Sequence, residues 1–159
     1  MDNANTGTAE KSPLRRYIGV KIVEAWPEDK VCDGDNVSSA GYAVKYSDGF
    51  QSWCPKQQFE EANRPCDAMP FGHAIEAMKQ GLRVARAGWN GKGMFAVISE
   101  GYLLEAEKFF NKDLQKHAVK LGGFMKVRDC FLLKTAQDDA AYWSPSTSDC
   151  LADDWQIVE

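Results

Sequence analysis

Two short segments of the chain carry residue types that suit a small, polar, ring-containing ligand. Residues 88–93 (GWNGKG) combine glycines, which let the backbone approach a ligand, with the flat indole of Trp89, the amide of Asn90 and the ammonium group of Lys92. Residues 146–149 (STSD) place three hydroxyl groups and a carboxylate at the predicted start of a helix. Because the first N–H groups of a helix and its dipole attract anions, the second segment suits a phosphate or a ribose.

Each segment also has a purely structural interpretation. A plain hairpin would explain the glycines of the first segment, with Trp89 packing on the core. Ser146 and Asp149 have the spacing of a capping box, in which the two residues satisfy each other's backbone N–H groups at a helix start. Spacing alone leaves both alternatives open.

Signatures of catalysis are missing from the sequence. It contains no G-x-x-x-x-G-K-[ST], no G-x-G-x-x-G after a predicted strand, no H-E-x-x-H and no G-x-S-x-G. The two histidines, His73 and His117, fall in predicted helices with no nearby Cys or Ser nucleophile in the sequence. Asp153 and Asp154 are neighbours and point in different directions on a helix. We therefore predict a protein that is not an enzyme, with no catalytic residue, no metal site and no cofactor.

The composition indicates which partners the protein can bind and in which cellular compartment it works. The 159 residues suffice for one domain or two small ones, and 19 basic against 23 acidic side chains give a formal charge of −4. A chain without a basic surplus is a poor binder of polynucleotides. No apolar run approaches the roughly 18 residues of a membrane span, and no signal peptide is recognisable. The five cysteines lack paired spacing, which predicts reduced thiols and a cytoplasmic protein.

The pattern of apolar residues and turns predicts the α+β class, with antiparallel hairpins, a few packed helices and two small modules. We expect a disordered tail over residues 1–16, an N-terminal β-rich module over 17–64 and a second module over 69–159. The elements predicted in the first module are a strand at 17–26, a polar loop at 28–40, a hairpin turning at 47–49 and a helix at 56–62.

The second module is predicted to begin with a helix at Pro70 that ends near Gly81. Two strands should follow, at 82–86 and 94–98, joined through a type I′ turn at Asn90-Gly91. The remaining predicted elements are a helix at 103–121, strands at 127–135 and 140–143, a short helix from Ser146 to Asp154 and a strand at 155–158.

Residues from about 69 to 159 resemble a phage family, the second Thoeris anti-defence family. The resemblance covers more than half of the chain, and its motifs occur in the same order. They are residues 69–81 (MPFGHAIEAMKQG), 84–95 (VARAGWNGKGMF), 133–136 (LKTA), Trp143 and 146–155 (STSDCLADDW). An N-terminal module is added, which resembles a small phage domain often fused to this one; we expect it to serve packing and oligomerisation, with a second ligand surface as the alternative.

The resemblance implies a non-enzymatic sponge. Such proteins bind a cyclic ADP-ribose isomer made by a bacterial TIR-domain defence enzyme, in pockets between the subunits of a homotetramer. We therefore expect a homotetramer (or a homodimer) in the cytoplasm of the infected host. The ligand-binding residues that we predict on this basis are Phe71, Arg86, Trp89, Asn90, Gly91, Lys92, Trp143, Ser146, Ser148 and Asp149.

These residues are expected to play different parts. Trp89 would stack on the adenine, with Phe71 as the opposite wall, while Asn90 and Asp149 would bind base or ribose groups. The pyrophosphate would be held by Lys92, Arg86 and the hydroxyls of Ser146 and Ser148.

Three other functions stay open at this stage. Some members of the family bind cyclic dinucleotides, which would use the same stacking chemistry. A related protein is an anti-CRISPR, so an inhibitor that binds a protein is a second alternative. An enzyme that cleaves the messenger would need an acid, a base or a metal, for which the sequence offers no good candidate.

Overall fold

A computed structural model describes residues 19–31 and 38–159. This part of the chain contains four α-helices and twelve strands, and all of its strand pairs are antiparallel, which confirms the predicted α+β class. The predicted tail over 1–16, together with Tyr17, Ile18 and Cys32, lies outside the described residues.

The first sheet has three strands in the order β1-β4-β5, followed by a helix. The elements of this part are β1 (Glu24–Pro27), β2 (Lys30–Val31), β3 (Ser38–Ser39), β4 (Gly41–Lys45), β5 (Gln51–Pro55) and α1 (Lys56–Ala62). The strands β2 and β3 pair only with each other. The predicted hairpin and the helix at 56–62 are both confirmed.

Local chemistry explains the turn and the helix start. Gly49 has a φ of +85°, which only glycine adopts without strain, and the carboxylate of Asp48 accepts a hydrogen bond from the Phe50 N–H at 2.9 Å. Pro55 has a φ of −56° and stands as the N-cap of α1. Tyr42 on β4 stacks on Phe59 of α1 with ring centroids 4.3 Å apart, so the helix packs against the sheet.

The prediction was wrong about the ends of two segments in this module. The strand expected over 17–26 begins only at Glu24, since residues 19–23 make no strand pairing. Their apolar side chains alternate, but the partner strand β4 ends at Lys45, which is in register with Glu24. The loop expected over 28–40 contains the two-residue strands β2 and β3.

The second sheet has five strands in the order β11-β10-β7-β6-β12. Its elements, and the helices beside it, are α2 (Phe71–Lys79), β6 (Arg83–Arg86), β7 (Phe95–Ser99), β10 (Cys130–Lys134), β11 (Ala140–Trp143), α4 (Thr147–Cys150) and β12 (Trp155–Val158). Between β7 and β10 the chain forms β8 (Tyr102–Glu105), the 3-10 helix Ala106–Lys108, α3 (Lys112–Lys120) and β9 (Phe124–Val127).

The hydrophobic core lies between α2 and one face of this sheet. Its buried members are Met69, Phe71, Ala74, Ala77, Met78, Val84, Ala96 and Trp155. Helix α2 ends where Gly81 adopts a φ of +83°, as predicted. The strands at 140–143 and 155–158 are confirmed with the predicted bounds.

The helix predicted over 103–121 was wrong in its first half. Residues 102–105 form β8, which pairs with β9 because Gly122 and Gly123, at φ +96° and +94°, turn the chain back. The helix itself begins after Asn111, whose side chain accepts hydrogen bonds from Asp113 N–H and Leu114 N–H. Apolar residues at helical spacing therefore occur here in a strand, a turn and a helix, and the spacing alone predicted one continuous helix.

Three smaller predictions were also wrong. Of the strand expected over 127–135, only Cys130–Lys134 is present, as β10, because Val127 ends β9 and Asp129 accepts a hydrogen bond from Gly101 N–H. Asn90 and Gly91 have no positive φ, so the type I′ turn is absent and residues 87–94 form a longer loop. Helix α4 ends at Cys150 rather than at Asp154.

No helix in the described part of the chain is long and apolar enough to cross a membrane.

Trp155 is the side chain on which this core should depend most. It is fully buried, and its indole N–H donates to the carbonyl oxygen of Asp149 at 3.0 Å. Trp155→Ala should lower the free energy of unfolding by about 3–5 kcal/mol in urea titrations. Leu151→Ala, at a side chain that is 77% exposed, should change it by less than about 0.5 kcal/mol. Equal effects of the two substitutions would contradict this packing.

Candidate functional site

The two segments singled out from the sequence lie side by side, joined through Arg86. This residue ends β6, where it is in register with Trp155 at the start of β12. Its Nε donates to Asp154 Oδ1 at 2.8 Å and its Nη1 to Asp149 Oδ1 at 3.0 Å. The arginine side chain is only 20% exposed, so it links strand β6 to α4 and to the chain that follows α4.

Asp149 is the acceptor that holds the site together. One oxygen, Oδ1, receives hydrogen bonds from Arg86 and, at 3.3 Å, from the indole N–H of Trp89. The other, Oδ2, receives the backbone N–H of Ser146 at 3.0 Å and its hydroxyl at 2.6 Å. The Ser146 hydroxyl in turn accepts from Asp149 N–H, which completes the predicted capping box. Four donors occupy about all the acceptor positions of one carboxylate.

The electrostatics follow from these contacts. Burial works against ionisation of Asp149, but hydrogen bonds from Ser146, Arg86 and Trp89 outweigh it and hold the pKa at about 2. The hydrogen bond from Arg86 lowers the pKa of Asp154 as well. Hydrogen bonds to Asp154 and Asp149 raise the pKa of Arg86. All three groups are therefore charged at neutral pH.

Asp154 fixes the start of the loop over residues 87–94. Its Oδ2 accepts the backbone N–H of Gly88 at 2.8 Å. A Cβ atom at position 88 would lie 2.9 Å from that same oxygen, which explains why the smallest residue stands there. Further along, Gly91 faces Met94 so closely that a Cβ would fall 2.0 Å from its sulfur. At both positions a larger residue would therefore meet a neighbouring side chain.

Trp89 belongs to a cluster of aromatic side chains at the edge of the core. Its ring meets Trp143 and Trp155 edge to face, with centroids 5.7 and 5.3 Å apart. Phe71 is buried in the same cluster, 5.1 Å from Trp155 and 6.3 Å from Trp143. Phe71 is therefore a core residue that packs against Trp143 and Trp155, the two rings that also contact Trp89.

The remaining predicted site residues lie near the surface. Asn90, Lys92, Ser146 and Ser148 are exposed, and the hydroxyls of Ser146 and Ser148 are 2.8 Å apart. Trp89, Trp143, Arg86 and Gly91 are partly buried. The structure thus brings most of the ten predicted residues to one end of the second sheet, some as fixed supports and some as accessible groups.

A recess of about 450 Å³ lies between the loop over residues 87–94 and the strands β6 and β12. Arg86, Trp89 and Gly91 line it together with Arg83, Phe95 and Lys134, which sequence reasoning did not single out. The guanidinium of Arg83 lies over the Phe95 ring, 5.1 Å from its centroid. Strand alternation was the available signal, because Arg83 and Phe95 sit on the sheet face opposite to the buried Val84 and Ala96.

The second module matches a known family. The sequence model of the Thoeris anti-defense 2-like domain matches residues 69–158, which is more than half of the chain. The chain belongs to this family. A relative is Thoeris anti-defense 2 of Bacillus phage SP01, which is 37% identical over 90 residues, covering 57% of this chain and 94% of that protein. An anti-defence role follows for this chain from its family.

Both segments of the site, and every residue that lines the recess except Glu159, lie inside the Thoeris anti-defense 2-like domain. The first sheet and α1 precede it. Among the described residues of this family member, no group of three His, Cys, Asp or Glu side chains could hold a metal ion. Cys54, Cys66, Cys130 and Cys150 are free.

The depressed pKa of Asp149 predicts an acid-sensitive site. Its stabilising effect is complete above the ordinary aspartate pKa of 3.8 and is lost as the pH falls through about 2. A shift of this size corresponds to about 2 kcal/mol. Urea titrations between pH 6 and about 2 give the free energy of unfolding of the wild type and of Asp149→Asn. The difference between the two proteins should become smaller as the pH falls. Asp153→Asn, at an exposed carboxylate, is the control that should follow the wild type. If the difference in the free energy of unfolding between wild type and Asp149→Asn did not change with pH, the lowered pKa of Asp149 would be contradicted.

Proposed function

We propose that this anti-defence protein binds and sequesters a cyclic ADP-ribose-type nucleotide without cleaving it. The bound messenger would then be unable to activate its effector in the cytoplasm of the infected bacterium. The observation that carries the proposal is the immobilised indole of Trp89, which lines a recess and is surrounded by polar groups. Family membership supports the anti-defence role, and the geometry supports a ring-containing, anionic ligand.

The indole of Trp89 is suited to stack on a base. Its N–H is held by Asp149, and two tryptophan rings pack against it edge to face, so little side-chain freedom is left to lose on binding. Stacking of a base on an aromatic side chain contributes about 1–3 kcal/mol. The recess beside it lies within the range of about 300–1,000 Å³ that is usual for small-molecule sites.

The pyrophosphate needs cations that are not already neutralised. Arg86 is paired with two carboxylates, so its part in the proposal is to position Trp89 and α4 rather than to bind phosphate. Lys92 is exposed and stands between Gly91 and Gly93, both of which line the recess. We assign the phosphates to Lys92, with the hydroxyls of Ser146 and Ser148 and the amide of Asn90 as further hydrogen-bonding groups.

Sequestration without cleavage is supported by the state of the carboxylates near the indole. A carboxyl group that donates a proton at neutral pH needs a raised pKa. Burial raises the pKa of Asp149, but hydrogen bonds from Ser146 and Arg86 outweigh it and hold that pKa at about 2. The hydrogen bond from Arg86 also lowers the pKa of Asp154. Both therefore stay ionised and occupied by internal donors.

To bind the ligand tightly, the protein must enclose most of its surface. We propose that a homotetramer or homodimer provides this enclosure. Nanomolar affinity corresponds to about −12 kcal/mol, and an open recess on one chain buries only part of a ligand. The chain also exposes large apolar side chains around β8, α3 and β9: Phe110 is 101% exposed, Leu103 70%, Val119 62% and Leu121 59%. Exposed apolar surface of this extent is typical of an interface between proteins.

Replacing the indole tests the binding site. Trp89→Ala should weaken the binding of a cyclic ADP-ribose isomer by about ten- to a hundredfold in isothermal titration calorimetry, because the stacking surface is lost. Circular dichroism should show that the variant is still folded. Trp26→Ala is the matched control, since Trp26 lies on β1 and is 42% exposed. Unchanged affinity in Trp89→Ala would remove this residue from the site.

The oligomeric state tests the enclosure. Light scattering at micromolar concentration should give a mass of four, or two, chains of 17.7 kDa each. Phe110→Asp should shift the mass towards a single chain if the exposed apolar surface is the interface, because burying an unpaired carboxylate there is costly. A monomeric wild type would contradict this part of the proposal.

A further inference from the structure

A second cavity, of about 490 Å³, lies between the first sheet and helix α2. His73, Ala77 and Gln80 line one side of it and are spaced so that they share one stripe along α2. The opposite side comes from residues 19–23 and from the end of α1 with the chain that follows it. This cavity is remote in sequence from the loop over 87–94 and contains none of the residues assigned to the nucleotide site.

One polar atom at this cavity is unsatisfied. Nδ1 of His73 is buried and has no hydrogen-bond partner within the described part of the chain. Buried polar side-chain atoms almost always have a partner, so one without a partner needs an explanation. His73 lines the cavity, so its imidazole would respond to a ligand bound there.

The walls suit a flat ring. Tyr42 and Phe59 both line the cavity, and they stack on each other with an angle of 25° between their planes. The apolar side chains of Val20, Ile22 and Met69 line the cavity as well. Rings and aliphatic groups with a few polar atoms among them are the usual lining of a small-molecule site.

The charges favour an anion. Three side chains of charged residue types line the cavity, namely Lys21, Arg64 and Glu60. The Glu60 carboxylate accepts the Tyr42 hydroxyl at 2.9 Å and forms an ion pair with Lys56 at 4.0 Å. Neither Lys21 nor Arg64 forms an ion pair with another described residue. The balance therefore leaves positive charge for a ligand.

We propose that this cavity is a second ligand site, which takes a small flat aromatic molecule carrying one anionic group. The ring lies among Tyr42, Phe59 and the apolar side chains, and the anionic group pairs with Lys21 and Arg64. The imidazole of His73 forms part of the wall. The shared chemistry fits both a nucleoside monophosphate and an aromatic carboxylate. The site goes beyond the proposed nucleotide sequestration and does not depend on it.

The two histidines of the chain make a direct test possible. Each gives one Cε1–H signal in a carbon–proton NMR spectrum, and His117, exposed on α3, serves as the internal control. The full chain is titrated with AMP and with indole-3-acetate as ring-bearing anions. Adenosine, which lacks the anion, and inorganic phosphate, which lacks the ring, are the matched probes. The chemical shift of the His73 signal should change and saturate with a ring-bearing anion. Adenosine and phosphate should bind at least about tenfold more weakly.

Three variants test where the ligand binds. Ala62 is exposed and lines the cavity, so Ala62→Trp should fill the space and abolish the response of His73. Lys21→Ala should weaken the binding of the anions but leave that of adenosine unchanged. Trp89→Ala should leave the His73 response intact, which separates this site from the nucleotide site.

Each result of these titrations either supports the second site or overturns it. A response to AMP alone identifies a nucleotide ligand, and one to indole-3-acetate alone identifies an aromatic carboxylate; both support the site. The proposal is overturned if neither anion moves the His73 signal, if His117 moves in parallel, or if Ala62→Trp keeps the full response. A response that disappears in Trp89→Ala would place the binding at the first site and would also overturn it.

Discussion

The candidate site depends on the hydrogen bonds of one carboxylate. Asp149 receives Arg86 from the end of β6, Trp89 from the loop that follows it and Ser146 from the start of α4. Two segments about sixty positions apart in sequence are thereby fixed around a single buried group. Without it, the short helix would lose its cap and the indole its polar anchor, while Arg86 would keep only Asp154 as a partner.

This arrangement separates groups that hold the site from groups that can bind. Arg86, Asp149 and Asp154 satisfy one another and leave a local charge of one negative unit, so they do not attract phosphate. Arg83, which lines the recess, and Lys92 in the loop are placed to offset that charge, whereas Lys134 is already paired with Asp138. A fixed indole with polar groups around it suits sequestration, because binding then requires little reorganisation of the protein.

Sequence reasoning predicted most of the fold where local chemistry was decisive. The hairpin at Asp48-Gly49, the helix after Pro55 and the capping box of Ser146 and Asp149 each follow from residues within a few positions of one another. It failed over 103–121, where apolar side chains at helical spacing belong to a strand and a helix joined by a turn. It also could not foresee that Arg86 pairs with Asp149 and Asp154, because the contact joins residues more than sixty positions apart and arises from the pairing of β6 with β12.

The central claim, capture of an intact messenger, is tested most directly by a release assay. Purified protein is mixed with a panel of cyclic ADP-ribose isomers and cyclic dinucleotides, freed of unbound ligand by filtration and heat-denatured, and the released compounds are separated by chromatography. The account predicts that one cyclic ADP-ribose isomer is recovered intact and in stoichiometric amount. Recovery of an altered product would show an enzyme, recovery of a cyclic dinucleotide alone would show a different ligand, and retention of nothing would direct the search to a protein target; each of these results would contradict the account.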